Sequence, residues 1–168
     1  GQLQFPFDVV VDGAGGFYVA DTGNTRVQKF DASGAFVTKW GTPGTGNGQF
    51  NHPAGIALDG AGNVYVTDAN NGRVQKFDAT GMFLTKWDAA AIGDALPFGP
   101  WGLAVDVGGR VFVADVSMSR TTVFTGAGSF LAQWGSSFST PRGVAVGAAG
   151  TVFVADTGNN RIQKFSCP

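Results

Sequence analysis

Four aspartates, Asp21, Asp68, Asp115 and Asp156, are each followed five residues later by an arginine, at Arg26, Arg73, Arg120 and Arg161. A carboxylate can hold a metal, move a proton, or accept the forked N–H donors of a guanidinium. Catalysis or metal binding does not call for four copies, whereas an ion pair that fixes a loop recurs wherever the loop recurs. These eight residues read as structural loop pairs. Function is better sought where a frame repeats and the residue does not, because packing repeats while a ligand site is built from unlike groups. Pro6, Pro53, Pro100 and Pro141 are followed by Phe7, Ala54, Trp101 and Arg142. His52 precedes one of these prolines, and Asp8 stands in the slot that is Gly55, Gly102 and Gly143 elsewhere. Phe7, Asp8, His52, Trp101 and Arg142 form the candidate ligand-binding set. Two aromatic faces, a cation, an imidazole and a carboxylate around a concavity suit a small polar or anionic ligand.

The remaining chemical inventory is thin. All 12 acidic residues are Asp, and the chain has one His and one Cys. A tetrahedral zinc site with paired imidazoles lacks its second His, and no Gly-x-Ser-x-Gly elbow is present. No catalytic residue, metal or cofactor is expected. With 11 Lys and Arg the formal net charge is −1, without the basic surplus that nucleic acid or an anionic membrane attracts. No apolar run approaches the ~18–20 residues of a membrane span, and no basic stretch leads into an apolar one. A soluble chain with no nucleic-acid partner and no membrane insertion is expected. Cys167, one residue from the end, has no internal partner for a disulfide, which leaves a free thiol or a link to another chain.

The elements that position the candidate residues follow from an internal repeat. Val19-Ala20-Asp21, Val66-Thr67-Asp68, Val113-Ala114-Asp115 and Val154-Ala155-Asp156 recur at spacings of 47, 47 and 41 residues, and the four prolines step by the same intervals. The deficit falls between Trp134 and Pro141, where a shorter loop replaces the Gly41–His52 and Asp88–Gly99 connections. One domain over 1–168 is expected, in units of approximately 1–47, 48–94, 95–135 and 136–168. Each unit holds short β-rich runs separated by Gly, Asp and Asn turns, as in Asp8–Asp12, Phe17–Ala20, Arg26–Phe30 and Ala35–Trp40. Runs such as Val9-Val10-Val11 are apolar on consecutive residues, which suits sheets covered on both faces. Four-stranded sheets of this length repeated radially are β-propeller blades. Asp12, Asp59 and Asp106 read as turn formers, with Gly147 in the fourth place, and Trp40, Trp87 and Trp134 as packing on the outer strand.

The run Gly48-Gln49-Phe50, Pro53, Gly55-Ile56-Ala57-Leu58-Asp59, Gly62-Asn63-Val64-Tyr65-Val66, Asp68, Asn71, Arg73-Val74-Gln75-Lys76-Phe77 and Gly81 resembles the NHL repeat, and the resemblance covers nearly the whole chain. The third unit departs most, with Ser117-Met118-Ser119-Arg120-Thr121-Thr122 where the others carry Asn and then Arg-Val/Ile-Gln-Lys. The resemblance implies a propeller that closes with six blades, and six such units exceed the 168 residues present. The fold expected is all-β, an NHL-type propeller of about four four-stranded blades forming an incomplete arc of a larger six-bladed one. The last unit lacks its fourth strand, giving fifteen strands. A tight four-bladed ring and an arc completed by another chain are the alternatives.

Function follows from the missing catalysts and from the resemblance. The first expectation is a non-enzymatic binding or scaffold module of a secreted or cell-surface bacterial protein. It would contact protein or glycan through its loop face and exposed blade edge, and self-associate through the unpaired Arg161–Phe165 strand. The alternative is a fragment of a propeller hydrolase or lyase, lactonase-like or amidating-lyase-like, whose other site residues lie in further blades.

Overall fold

Each repeat folds into an antiparallel sheet because β-branched and aromatic runs are cut at fixed places by residues that favour turns. In the first unit Asp12 accepts the N–H groups of Ala14 and Gly16, and Gly15 takes a φ of 85°. This reverses the chain between β1 (Pro6–Val11) and β2 (Phe17–Asp21). A 3₁₀ turn over Thr22–Asn24 leads into β3 (Arg26–Phe30). Asp31 then accepts from Ser33 and Ala35 in the hairpin to β4 (Phe36–Trp40), and the four strands pair in chain order. The computed structural model describes residues 1–88, 91, 93, 99–135, 137–147 and 150–166. Cys167 lies outside the described residues.

The second blade comprises β7 (Pro53–Leu58), β8 (Val64–Asp68), β9 (Arg73–Phe77) and β10 (Phe83–Asp88). It is preceded by a two-residue parallel bridge between β5 (Thr42–Pro43) and β6 (Gln49–Phe50). The third blade holds β11 (Pro100–Val105), β12 (Val111–Asp115), β13 (Arg120–Phe124) and β14 (Phe130–Trp134). The fourth holds β15 (Pro141–Val146), β16 (Thr151–Asp156) and β17 (Arg161–Ser166). Among the described residues the blades have four, four, four and three strands, the fifteen that the repeat implies.

The blades stack through their faces, with inner strands β1, β7, β11 and β15 side by side in that order. Tyr18, Val27 and Trp40 of the first blade meet Ile56, Leu58 and Phe77 of the second in one apolar cluster. Tyr65, Val74 and Trp87 meet Leu103, Val111 and Phe124 in the next, and Phe112, Val123 and Trp134 meet Val144, Val152 and Phe165 in the third. Burying one such side chain contributes roughly 1.5–3 kcal/mol. Each outer-strand tryptophan lies against a phenylalanine of the following blade, Trp40 on Phe77 and Trp87 on Phe124 at 5.8 Å, and Trp134 on Phe165 at 5.9 Å. Burial on both sheet faces holds for the middle blades, where β8 and β12 are buried throughout. In the terminal blades one face is bare: Val9, Val11, Phe153 and Ile162 are exposed. The molecule is an open arc of four blades, not a closed ring of four. Among the described residues no helix is long and apolar enough to cross a membrane.

Candidate functional site

The four buried aspartates set the geometry at one end of the arc. Oδ1 of Asp21, Asp68, Asp115 and Asp156 accepts the backbone N–H of Gln4, Asn51, Gly99 and Ser139 respectively. Each bond ties down the segment entering an inner strand. Oδ2 of the same carboxylates accepts from Nε of Arg26, Arg73 and Arg161 at 2.7 Å and of Arg120 at 3.1 Å. All four aspartates are fully buried, and a buried carboxylate is tolerable only when its lone pairs are met by donors. Burial alone would push the Asp21 carboxyl up. The Gln4 N–H with Asn24, Arg26 and Gln28 outweighs it and holds the group below its ordinary value. Burial at Asp156 is likewise outweighed by Ser139, Asn159, Arg161 and Gln163.

Two further sets of donors in this network are markers of the repeat to which the sequence assigns no role. Gln28, Gln75 and Gln163 donate Nε2 to the buried carboxylate at 2.7, 3.2 and 2.8 Å, and Asn24, Asn71 and Asn159 donate Nδ2. Their signal was their register, three repeats out of four. In the third blade Met118 donates its backbone N–H in place of the Asn side chain, and Thr122 stands where the Gln would be. The buried hydroxyls of Thr121 and Thr122 have no hydrogen-bond partner among the described residues.

Immediately after each marker proline the register of the inner strand breaks. Pro6 pairs with Asp21 and Asp8 with Ala20; Pro53 with Asp68 and Ile56 with Val66. Pro100 and Pro141 pair with Asp115 and Asp156, and the ladder resumes at Leu103–Val113 and Gly143–Ala155. One extra residue enters the inner strand of every blade, and such a bulge re-aims a side chain and ends the ladder. The residues that vary between repeats therefore sit at a bulge, anchored by the buried aspartate across the pair.

The arc brings these bulges together. The rings of Phe7 and Trp101 meet edge to face at 5.4 Å, His52 lies 5.3 Å from Trp101 and 6.3 Å from Phe7, and the Arg142 guanidinium covers Trp101 at 5.1 Å. Residues of β1, β7, β11 and β15 enclose a hollow of about 230 Å³ lined by Phe7, Asp8, Gly55, Leu103, Arg142 and Val144, among others. Nε1 of Trp101 and Nδ1 of His52 are buried and have no hydrogen-bond partner among the described residues. Glycine is required at Gly55, where a Cβ would come within 2.6 Å of the Trp101 carbonyl. Asp8 takes the same slot where β1 meets β7, and its Oδ2 accepts the Ile56 N–H at 3.0 Å while Oδ1 accepts that of Val9. Burial raises the Asp8 pKa, with the Ile56 and Val9 bonds offsetting part of the rise. The five candidate residues are thus neighbours at one mouth, contributed by four successive blades.

A second hollow, of about 430 Å³, lies beside β17 and is lined by Val123, Leu131, Trp134 and Phe165, with Arg110 at its margin. It adjoins the blade edge that the sequence marks as unpaired. Among the described residues no three His, Cys, Asp or Glu side chains come together in a way that could hold a metal ion.

Four antiparallel blades fanned about a shared set of inner strands, with bulged side chains gathered at one mouth, define a β-propeller arc. Residues 3–30, 50–77, 99–124 and 138–165 match the NHL repeat, and the chain belongs to that family. Among curated proteins no sequence match is found. Among solved structures the arc is similar to a catalytically inactive virginiamycin B lyase from Staphylococcus aureus with quinupristin, at 14% identity and a TM-score of 0.74, over 95% of this chain and 55% of that one. It is also similar to a chain of a nidogen/laminin complex, at 19% identity and a TM-score of 0.75, over 96% of this chain and 60% of that one. A third likeness is to U3-55K, at 14% identity and a TM-score of 0.69, over 98% and 53%. The chain spans little more than half the length of these structures, and at such identities the likeness shows the fold.

Proposed function

We propose that the chain is a binding module without catalytic activity of its own, holding a protein or glycan partner at the channel mouth. The observation that carries this reading is the cluster of Phe7, His52 and Trp101 with Arg142 stacked upon it. Asp8 is the one carboxylate lining that hollow among the described residues, and both its oxygens already accept backbone N–H groups. Such a mouth offers flat apolar faces and a cation rather than an opposed acid and base. A sugar ring bearing a carboxylate, or an acidic side chain of a protein, fits a platform of this kind. That a chain of a nidogen/laminin complex shares the fold supports the binding reading.

The test is a pair of arrays, one of glycans and one of acidic peptides, probed with the wild type, Trp101→Ala and Arg142→Ala. For any ligand the wild type retains, each substitution is expected to weaken binding at least tenfold, about 1.4 kcal/mol. Equal binding by all three proteins would move the site elsewhere.

The likeness to virginiamycin B lyase favours a second reading, a hydrolase or lyase propeller of which this arc is one part. Incubation with quinupristin followed by mass spectrometry tests the second reading in one direction: conversion by this chain would replace the binding reading with the catalytic one, whereas unchanged quinupristin is expected both of a binding module and of an arc whose remaining site residues lie in further blades.

A further inference from the structure

The inner strands β1, β7, β11 and β15 are end strands of their sheets, so each has one edge that pairs with no other strand. In an antiparallel ladder only alternate residues bond across the pair, and those between them turn N–H and C=O toward the other edge. The Asp12 N–H donates to the Gly16 carbonyl, Asp59 to Asn63, Asp106 to Arg110 and Gly147 to Thr151, which sets the alternation in each blade. Counted back along the register, Val9–Val19, Ile56–Val66, Leu103–Val113 and Val144–Val154 are all pairs of the unbonded kind. The amides of Val9, Ile56, Leu103 and Val144, at one position of the repeat, therefore face away from the ladder, toward the channel.

A carboxylate already occupies two of them. Asp8 accepts the Val9 N–H on Oδ1 at 2.9 Å and the Ile56 N–H on Oδ2 at 3.0 Å, bridging the first blade to the second. The residues in the same slot before Leu103 and Val144 are Gly55 and Gly102, which have no side chain to offer. Among the described residues no other side chain accepts from either amide. Leu103 and Val144 both line the hollow of about 230 Å³, with Asp8 and Arg142. Arg142 is exposed and makes no ion pair among the described residues; its guanidinium lies on Trp101. The blades on either side of each free amide, the second and third for Leu103 and the third and fourth for Val144, are both present, so this gap lies inside the arc rather than at its ends.

We propose that the channel mouth takes a uronic acid at the end of a glycan, its carboxylate on the Leu103 and Val144 N–H groups as Asp8 sits on those of Val9 and Ile56. The inference deepens the binding reading and rests on it. Two N–H donors from adjacent blades with a guanidinium beside them match the two oxygens of a carboxylate. The hollow is smaller than the roughly 300–1,000 Å³ of pockets that enclose a whole ligand, so it holds the acid end while the rest lies across Phe7 and Trp101. A pyranose ring bears its carboxylate directly and covers an aromatic face with C–H groups. An acidic protein side chain bears its own on a slim stem, which leaves the 49% exposed Phe7 ring bare.

The test is a titration of the isotope-labelled chain with D-glucuronate, D-glucose and N-acetylaspartyl amide, each to about 50 mM, read by NMR at the backbone amides and the Trp101 indole. Glucose lacks only the carboxylate, and N-acetylaspartyl amide carries a side-chain carboxylate without a ring. Glucuronate is expected to shift the Leu103 and Val144 amides together with the indole, and the other two to bind at least about tenfold more weakly. Arg142→Gln is expected to weaken glucuronate by at least about tenfold. Asp8→Asn removes a like charge from the hollow while keeping an oxygen for the Ile56 N–H, and is expected to tighten glucuronate about threefold. Glucuronate that shifts the indole but neither amide overturns the proposal and leaves the binding reading standing. Equal binding of glucose, or an Asp8→Asn variant that binds no tighter, does the same. N-acetylaspartyl amide as the tightest of the three overturns it in favour of an acidic peptide. No shift at the amides or the indole with any probe also overturns it, and the binding reading is then decided by the arrays.

Discussion

Asp8 occupies a slot that its three counterparts fill with glycine, and the cost is legible in its titration. Burial disfavours its charged form, so the folded protein binds a proton at Asp8 at pH values where the unfolded chain has released it. Stability therefore falls as pH rises from the ordinary value of 3.8 through the raised one, and stays lower above it. An amide carries no such penalty and keeps an oxygen for the buried-side Ile56 N–H, while the Val9 N–H at the exposed edge turns to water. Asp8→Asn is thus expected to melt a few degrees higher than wild type at pH 7, at roughly 2–4 °C per kcal/mol, with the gap closing as pH falls to 3. An equal or lower melting temperature at pH 7 would show that the carboxylate is held by more than these two bonds. A residue retained against stability is what a binding site contains. The sequence marked Asp8, Phe7, His52, Trp101 and Arg142 by position within the repeat. It did not show the side-chain aim, because that depends on a one-residue bulge which no alternation of residue types announces.

Hairpin glycines show how an element is shaped by its neighbour. Gly34, Gly81 and Gly128 take φ values of 84°, 92° and 91° at the same turn of three successive blades. A Cβ at Gly81 would lie 2.5 Å from Trp40, and one at Gly128 2.7 Å from Trp87, whereas Gly34 has open space around it. All three alanine substitutions suffer the left-handed backbone, about 1–2 kcal/mol. Only two also press on a tryptophan, for roughly another 1–3 kcal/mol. Chemical denaturation is expected to rank Gly34→Ala well above Gly81→Ala and Gly128→Ala in stability. Equal losses would mean that the turn conformation, not the seat on the preceding blade, demands glycine. The turns were readable because Asp and Gly act locally, within four residues. The bridge between Thr42–Pro43 and Gln49–Phe50 was not, since two residues a side carry no periodic signal.

Over the whole molecule, blades that touch only their neighbours make stability a sum of local and junction contributions rather than one indivisible quantity. The second and third blades each have two junctions, the first and fourth one apiece. Every residue of β8 and β12 is buried, while β1 and β17 show no residue buried in full. The repeat and its length made the blades legible in the sequence. Whether four of them close was not, because closure depends on the small rotation from blade to blade, summed over junctions. Hydrogen exchange followed by mass spectrometry is expected to grade accordingly, with β8 and β12 slowest and β1 and β17 fastest. Uniform protection across all four blades would instead mean that the arc unfolds as a single unit.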